Sequence, residues 1–213
     1  RTDIVLGQQD WNPPASAADW TNLYGWTTLA TPATGGNTGG FLQVTFPFTA
    51  TPEAAQDTWY DVVYMPATNL FAGAWSNEMS IKFDFWVSNI SPGALQVRWS
   101  TNIDSPDMWG YSLTPPAAGT GGWTTFTAPL QNWSNWMYDG ATEAQYLADL
   151  ASIDWVGIYI YRSTADEQIY GIDNVMLVVP EPAECLLLAG ALVILGLSLR
   201  RRHPQPGALA PSG

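Results

Sequence analysis

The chain predicts an all-β fold, two stacked antiparallel sheets forming a sandwich, with one short helix and an apolar helix at the C-terminus. Three observations carry this. Short runs of alternating apolar and polar residues recur through residues 1–179, each closed by Gly, Pro, Asn or Ser. One stretch alone, residues 142–150, has helical periodicity, with Tyr146, Leu147 and Leu150 expected on one face. Residues 185–199 then form an unbroken apolar run that ends in three arginines.

Taken in order, strands are expected over residues 3–6 (DIVL), 41–46 (FLQVTF), 58–65 (TWYDVVYM) and 80–87 (SIKFDFWV). Others follow over 95–101 (LQVRWST), 109–113 (WGYSL), 123–128 (WTTFTA), 153–161 (IDWVGIYIY) and 170–178 (YGIDNVMLV). Side chains alternate across a strand, so each run also assigns faces. Ile81, Phe83, Phe85 and Val87 are expected inward, with Lys82, Asp84 and Trp86 outward. Leu95, Val97 and Trp99 face in, leaving Gln96, Arg98 and Ser100. Val156, Ile158 and Ile160 face in, leaving Trp155, Tyr159 and Tyr161. The Gly-rich segments PATGGNTGG and TPPAAGTGG read as loops within one domain, residues 1–179, and no internal repeat is present.

Charge narrows the functions open to this domain. Before Pro180 there are four basic residues against 17 acidic ones, a net of −13. Such a surface repels phosphate backbones, so nucleic acid is not an expected partner. The single cysteine, Cys185, and the single histidine, His203, both lie after Pro180. Residues 1–179 therefore hold no disulfide, no Ser-His-Asp or Cys-His nucleophile system and no His/Cys zinc site. Carboxylates alone suffice for glycoside hydrolysis, but nothing singles out a pair. A non-enzyme is the expectation.

Twelve tryptophans are a clear excess. Flat aromatic rings stack on the C–H patches of sugars, and polar side chains at the rim meet the hydroxyls. If the three strands above share a sheet, Trp86, Trp155, Tyr159 and Tyr161 with Asp84, Gln96 and Arg98 form such a carbohydrate-binding face. Trp133 and Trp136 are a second candidate contact. Trp11, Trp20, Trp26, Trp59, Trp75, Trp99 and Trp123 are expected to be structural, because aromatics dominate core burial.

The order of SIKFDFWV, LQVRWS, GWTTFTAPL and YGIDNVMLV resembles the jelly-roll sandwich of carbohydrate-binding modules. That resemblance implies a structural Ca²⁺ near the last strand, where Asp173 and Asn174 stand. Asn102, Asp104 and Asp107 are further oxygen donors of suitable type. Asn and Asp also favour turns, which explains them without a metal.

The tail adds an address. Residues 185–199 are 15 residues long, short of the ~20 that span a bilayer comfortably. Arg200, Arg201 and Arg202 would stay on the cytoplasmic side, leaving everything before Pro180 outside. Pro180, Glu181 and Pro182, the apolar run and the arginines together resemble the PEP-CTERM sorting signal of Gram-negative bacteria. The resemblance implies an exosortase-type membrane enzyme as partner and export to the cell surface or matrix, with transient anchoring in the inner membrane. Residues 180–203 would be this signal and 204–213 a disordered extension, where such signals usually stop. Cys185 also stands where a small or apolar residue is commoner. A start at Arg1 suits a chain whose signal peptide has been removed. Three functions follow: a non-catalytic polysaccharide binder, a structural or adhesive matrix protein engaging protein partners or itself, and a secreted glycoside hydrolase.

Overall fold

The structure, a computed structural model, describes residues 3–12, 20–49, 59–65, 70–102, 108–119 and 121–181. Residues 3–179 form one compact unit, and of the remaining residues 180 and 181 are described. Pro182, the apolar run 185–199, Arg200, Arg201, Arg202 and the 204–213 extension lie outside the described residues, as do Asp104 and Asp107. Among the described residues no helix is long and apolar enough to cross a membrane.

Among the described residues twelve strands occur: β1 (Asp3–Gln9), β2 (Thr21–Asn22), β3 (Thr28–Ala30), β4 (Leu42–Phe46), β5 (Tyr60–Met65), β6 (Ser80–Val87), β7 (Ala94–Ser100), β8 (Trp109–Leu113), β9 (Thr124–Pro129), β10 (Trp136–Met137), β11 (Trp155–Tyr161) and β12 (Gln168–Pro180). They build two six-stranded sheets. The first runs β3-β4-β12-β6-β9, with β1 also paired to β12; the second runs β10-β8-β7-β11-β5-β2. Every strand read from alternation is present, with ends shifted by up to three residues. The three that the pattern misses, β2, β3 and β10, are two or three residues long, too short to alternate.

Between the sheets lie Leu42, Val44, Phe46, Ile81, Phe83, Phe85, Tyr170 and Ile172 from the first, against Val63, Leu95, Val97, Trp99, Val156, Ile158 and Ile160 from the second. Trp99 is the centre of an aromatic core, stacked on Trp109 at 5.6 Å and flanked by Trp75, Trp136 and Tyr146. The helix α1 (Glu143–Leu150) closes this end, its N-terminus capped by the Thr142 side chain, which accepts from the Gln145 N–H. Tyr146 and Leu150, one turn apart, are buried; Leu147, expected beside them, is exposed.

Two expectations need correction. β6 belongs to the first sheet, whereas β7 and β11 belong to the second. Lys82, Asp84 and Trp86 therefore face away from Gln96, Arg98, Tyr159 and Tyr161, on the opposite side of the sandwich. Alternation fixes a face relative to a strand's own sheet and cannot say which sheet that is. The second correction is burial on the outer faces themselves. Asp84 is 4% exposed and Trp155 1%, each covered by neighbours on its outer face.

Candidate functional site

The outer face of the second sheet carries a row of tyrosines. Register places Tyr60 opposite Tyr161 and Val62 opposite Tyr159, with Tyr159 opposite Gln96 on the other side. One step along, Tyr64, Gly157, Arg98 and Gly110 align across four strands. Ring centroids of Tyr60 and Tyr159 are 5.6 Å apart, and Tyr24 meets Tyr60 edge-on at 5.1 Å. Trp59 supports Tyr161 at 5.9 Å. Trp155 lies beneath Tyr64, 5.1 Å away, in a small apolar cluster with Val62. It is the floor of the face rather than its surface.

Gly157 has to be glycine. A Cβ there would stand 2.6 Å from the Tyr64 Cβ and 2.8 Å from the Val63 carbonyl, so the missing side chain is what lets β5 and Tyr64 pack directly against the strand. Arg98 stands opposite Gly157 on β7, its guanidinium 3.7 Å from the Tyr159 ring centroid and donating to the Gln96 Oε1 at 2.9 Å. Gln96 in turn donates to the Ser112 hydroxyl at 3.3 Å. Burial pulls Arg98 below the ordinary guanidinium range and pushes the Tyr159 and Tyr24 hydroxyls above theirs. Desolvation of the cation strengthens its contact with the ring. Flat rings, a fixed guanidinium, a carboxamide and phenolic hydroxyls thus share one surface.

Of the residues predicted to form a single site, Gln96, Arg98, Tyr159 and Tyr161 come together here. Trp86 and Asp84 sit on the first sheet. Trp86 packs with Phe41 and Trp123, ring centroids 6.1 and 6.3 Å away, and Trp123 lies over Gly171. Trp136 is buried, donating to the Pro129 carbonyl, and Trp133 is half-buried. Trp11, Trp20, Trp75 and Trp99 are buried as expected, whereas Trp26 is 40% exposed. Sequence reading missed Tyr24 and Tyr60 on this side, and Asp61, wholly buried beside Tyr60 on β5. The alternation of TWYDVVYM marks Tyr60 and Tyr64 as one face, and that was the available signal.

Asp173 and Asn174 occupy a bulge of β12, where the register with β6 shifts and Asn174 takes a left-handed φ of 49°. Asp173 stands directly opposite Asp84. Two carboxylates so placed repel, and donors surround them. Asp173 accepts from the N–H groups of Asn37, Thr38 and Asn174; Asp84 accepts from the Asn37 and Asn174 amides and the Thr125 hydroxyl. Burial, with a smaller push from the neighbouring Asp84, raises the Asp173 carboxyl above its usual range. Among the described residues no group of three or more His, Cys, Asp or Glu is placed to hold a metal.

No protein-family model matches the chain, and no curated protein is similar to it in sequence. Solved structures do match. A family 11 carbohydrate-binding module from Clostridium thermocellum, in complex with a β-1,3-1,4-mixed-linked tetrasaccharide, superposes with TM-score 0.52 at 18% identity, covering 82% of this chain and 96% of that one. The CBM22-1 xylan-binding domain from Paenibacillus barcinonensis Xyn10C gives 0.50 at 13%, covering 85% and 99%. What they share with this chain is the fold. It is the jelly-roll sandwich of carbohydrate-binding modules. An exo-β-agarase also matches, with TM-score 0.55 at 12% identity, but the likeness spans 26% of that longer chain and 85% of this one.

Proposed function

We propose that this chain is a non-catalytic, exported surface protein whose sandwich binds polysaccharide through the outer face of its second sheet. The observation that carries this reading is the Tyr60–Tyr159–Tyr161 row beside Arg98 and Gln96, aromatic stacking surface joined to fixed hydrogen-bonding groups. The fold supports it, since domains of this shape include modules described with a tetrasaccharide and as xylan-binding. A hydrolase would need two available carboxylates flanking a scissile bond. The pair that strand register sets opposite one another, Asp84 with Asp173, is buried and committed to hydrogen bonds.

The tail gives the location within this reading. Its Pro180–Glu181–Pro182 element, apolar run and Arg200, Arg201 and Arg202 fit an exosortase-type sorting signal, so the sandwich would be displayed outside the inner membrane. The Ca²⁺ suggested at Asp173 and Asn174 fits less well. The side-chain amides of Asn37 and Asn174 turn N–H groups toward Asp84, and both oxygens of each carboxylate already accept hydrogen bonds. The cluster is closed by protein donors.

Affinity electrophoresis of the full chain through gels containing β-glucan, xylan, agarose or bacterial exopolysaccharide tests the proposal. Retardation by at least one is expected, and uniform mobility throughout the panel would contradict it. A self-associating matrix protein is the second reading. It is favoured by Ile4, Val5 and Leu6, three consecutive exposed apolar residues on β1. Light scattering showing a monomer at all concentrations would remove it.

A further inference from the structure

The loop that links β2 to β3 presents two exposed aromatics, Tyr24 at 38% and Trp26 at 40%. Exposed rings contribute little to folding, yet their backbone is held with unusual care. Asp61, on β5 and wholly buried, turns its carboxylate under this loop. Its Oδ1 accepts from the Tyr24 N–H at 3.0 Å and the Val62 N–H at 2.9 Å. Its Oδ2 accepts from the N–H groups of Trp26 and Thr27 at 3.0 and 3.1 Å, and from the Thr27 hydroxyl at 3.0 Å. Gly25, at φ +75°, supplies the left-handed step that lets these N–H groups converge on one anion. Asn22 braces the far side by donating to Thr27. Burial pushes the Asp61 carboxyl up, and the four groups that donate from the loop and Val62 pull it back.

Burying a carboxylate is costly, and a loop needing only closure could be held by neutral groups. The result of that cost here is the placement of Tyr24 against Tyr60, with Trp26 held two residues on in the same exposed loop, which follows the edge strand β2. We infer that Asp61 is a positioning residue for the glycan face, and that the Trp26 ring it holds is an outlying contact for the distal sugar of a longer chain. This rests on the carbohydrate reading above. It adds a residue that sets the length of oligosaccharide the face can read.

The test is isothermal titration of the full chain with β-1,3-1,4-gluco-oligosaccharide and β-1,4-xylo-oligosaccharide ladders of increasing length. For the parent chain, affinity should climb by about tenfold as the ladder lengthens enough to reach Trp26, one good aromatic contact being worth ~1.4 kcal/mol. Trp26→Ala, which leaves the loop backbone intact, should abolish that climb and leave the shortest binding oligosaccharide unaffected. Asp61→Asn should abolish the climb too, through loss of loop placement, while Asp61→Ala should also lower Tm. Equal loss at every length, or none at any, would overturn the role of Asp61 and Trp26 while leaving the carbohydrate reading in place. Failure of the parent chain to bind either ladder would overturn both.

Discussion

Arg162 brings a full positive charge into the interior and anchors main chain with it. Its Nε donates to the Thr164 carbonyl at 2.8 Å, and its Nη1 to the Pro47 carbonyl at 2.9 Å. Nη2 reaches the carbonyls of Ala165 and Asp166 at 2.9 and 2.6 Å. The guanidinium also lies 5.7 Å from the Phe46 ring centroid. One planar fork thus satisfies four acceptors spread over two loops, which a single ammonium cannot do from one point. Arg162→Lys should cost about 2–3 kcal/mol, because buried carbonyls lose charge-assisted bonds. Urea unfolding monitored by tryptophan fluorescence would measure it, and a loss below about 0.5 kcal/mol would show that water or lysine replaces the fork. This residue gave no sign of itself in the sequence. An arginine just after a strand reads as a solvated end, and only the path of the loops reveals the four carbonyls around it.

At the scale of elements, β12 is the strand that organises the first sheet. Its first half lies between β4 and β6, and β1 also pairs with it. The bulge at Asp173 and Asn174 lets the inward side change step, so that Tyr170 and Ile172 before it and Val175 and Leu177 after it all reach the core. The polar cluster at that bulge is closed by Asn37, Asn174 and Thr125 rather than left open. A cation bound at 100 times its Kd would add ~2.7 kcal/mol to stability, several degrees of Tm in a domain of this size. Neither millimolar Ca²⁺ nor EDTA should therefore shift Tm by more than about 1 °C. A calorimetric rise of several degrees with Ca²⁺ would show that the Asn amides reverse to offer oxygens. Strand positions and inward residues were legible in the alternation of SIKFDFWV, LQVRWS and WVGIYIY. Their division between sheets was not, because consecutive strands β6 and β7 cross from one sheet to the other through a loop whose path no local pattern encodes. That crossing separated Trp86 and Asp84 from Arg98 and Tyr159.

For the whole molecule, the consequence is a sandwich with two unlike outer faces. On the first sheet, Trp86 and Trp123 pack with Phe41 and across Gly171, and the buried Asp84–Asp173 cluster lies beside them. On the second, tyrosines, Arg98 and Gln96 share a surface, with Tyr64 packed close over Gly157. The domain's net charge of −13 keeps such an aromatic surface soluble and disfavours polyanionic ligands, so the proposed glycan site should prefer neutral or cationic chains. The excess of aromatic residues was legible in the sequence, but which of them lie on an outer face was not. Burial of Trp155 under Tyr64, and exposure of Trp26 on its loop, both depend on contacts between residues distant in sequence. The most direct test of a second-sheet glycan site is isothermal titration of two single variants with a polysaccharide that retards the parent chain. Tyr159→Ala should weaken binding at least about tenfold, ~1.4 kcal/mol, while Trp86→Ala on the opposite face leaves it within about twofold. Loss of binding with Trp86→Ala and retention with Tyr159→Ala would contradict the assignment.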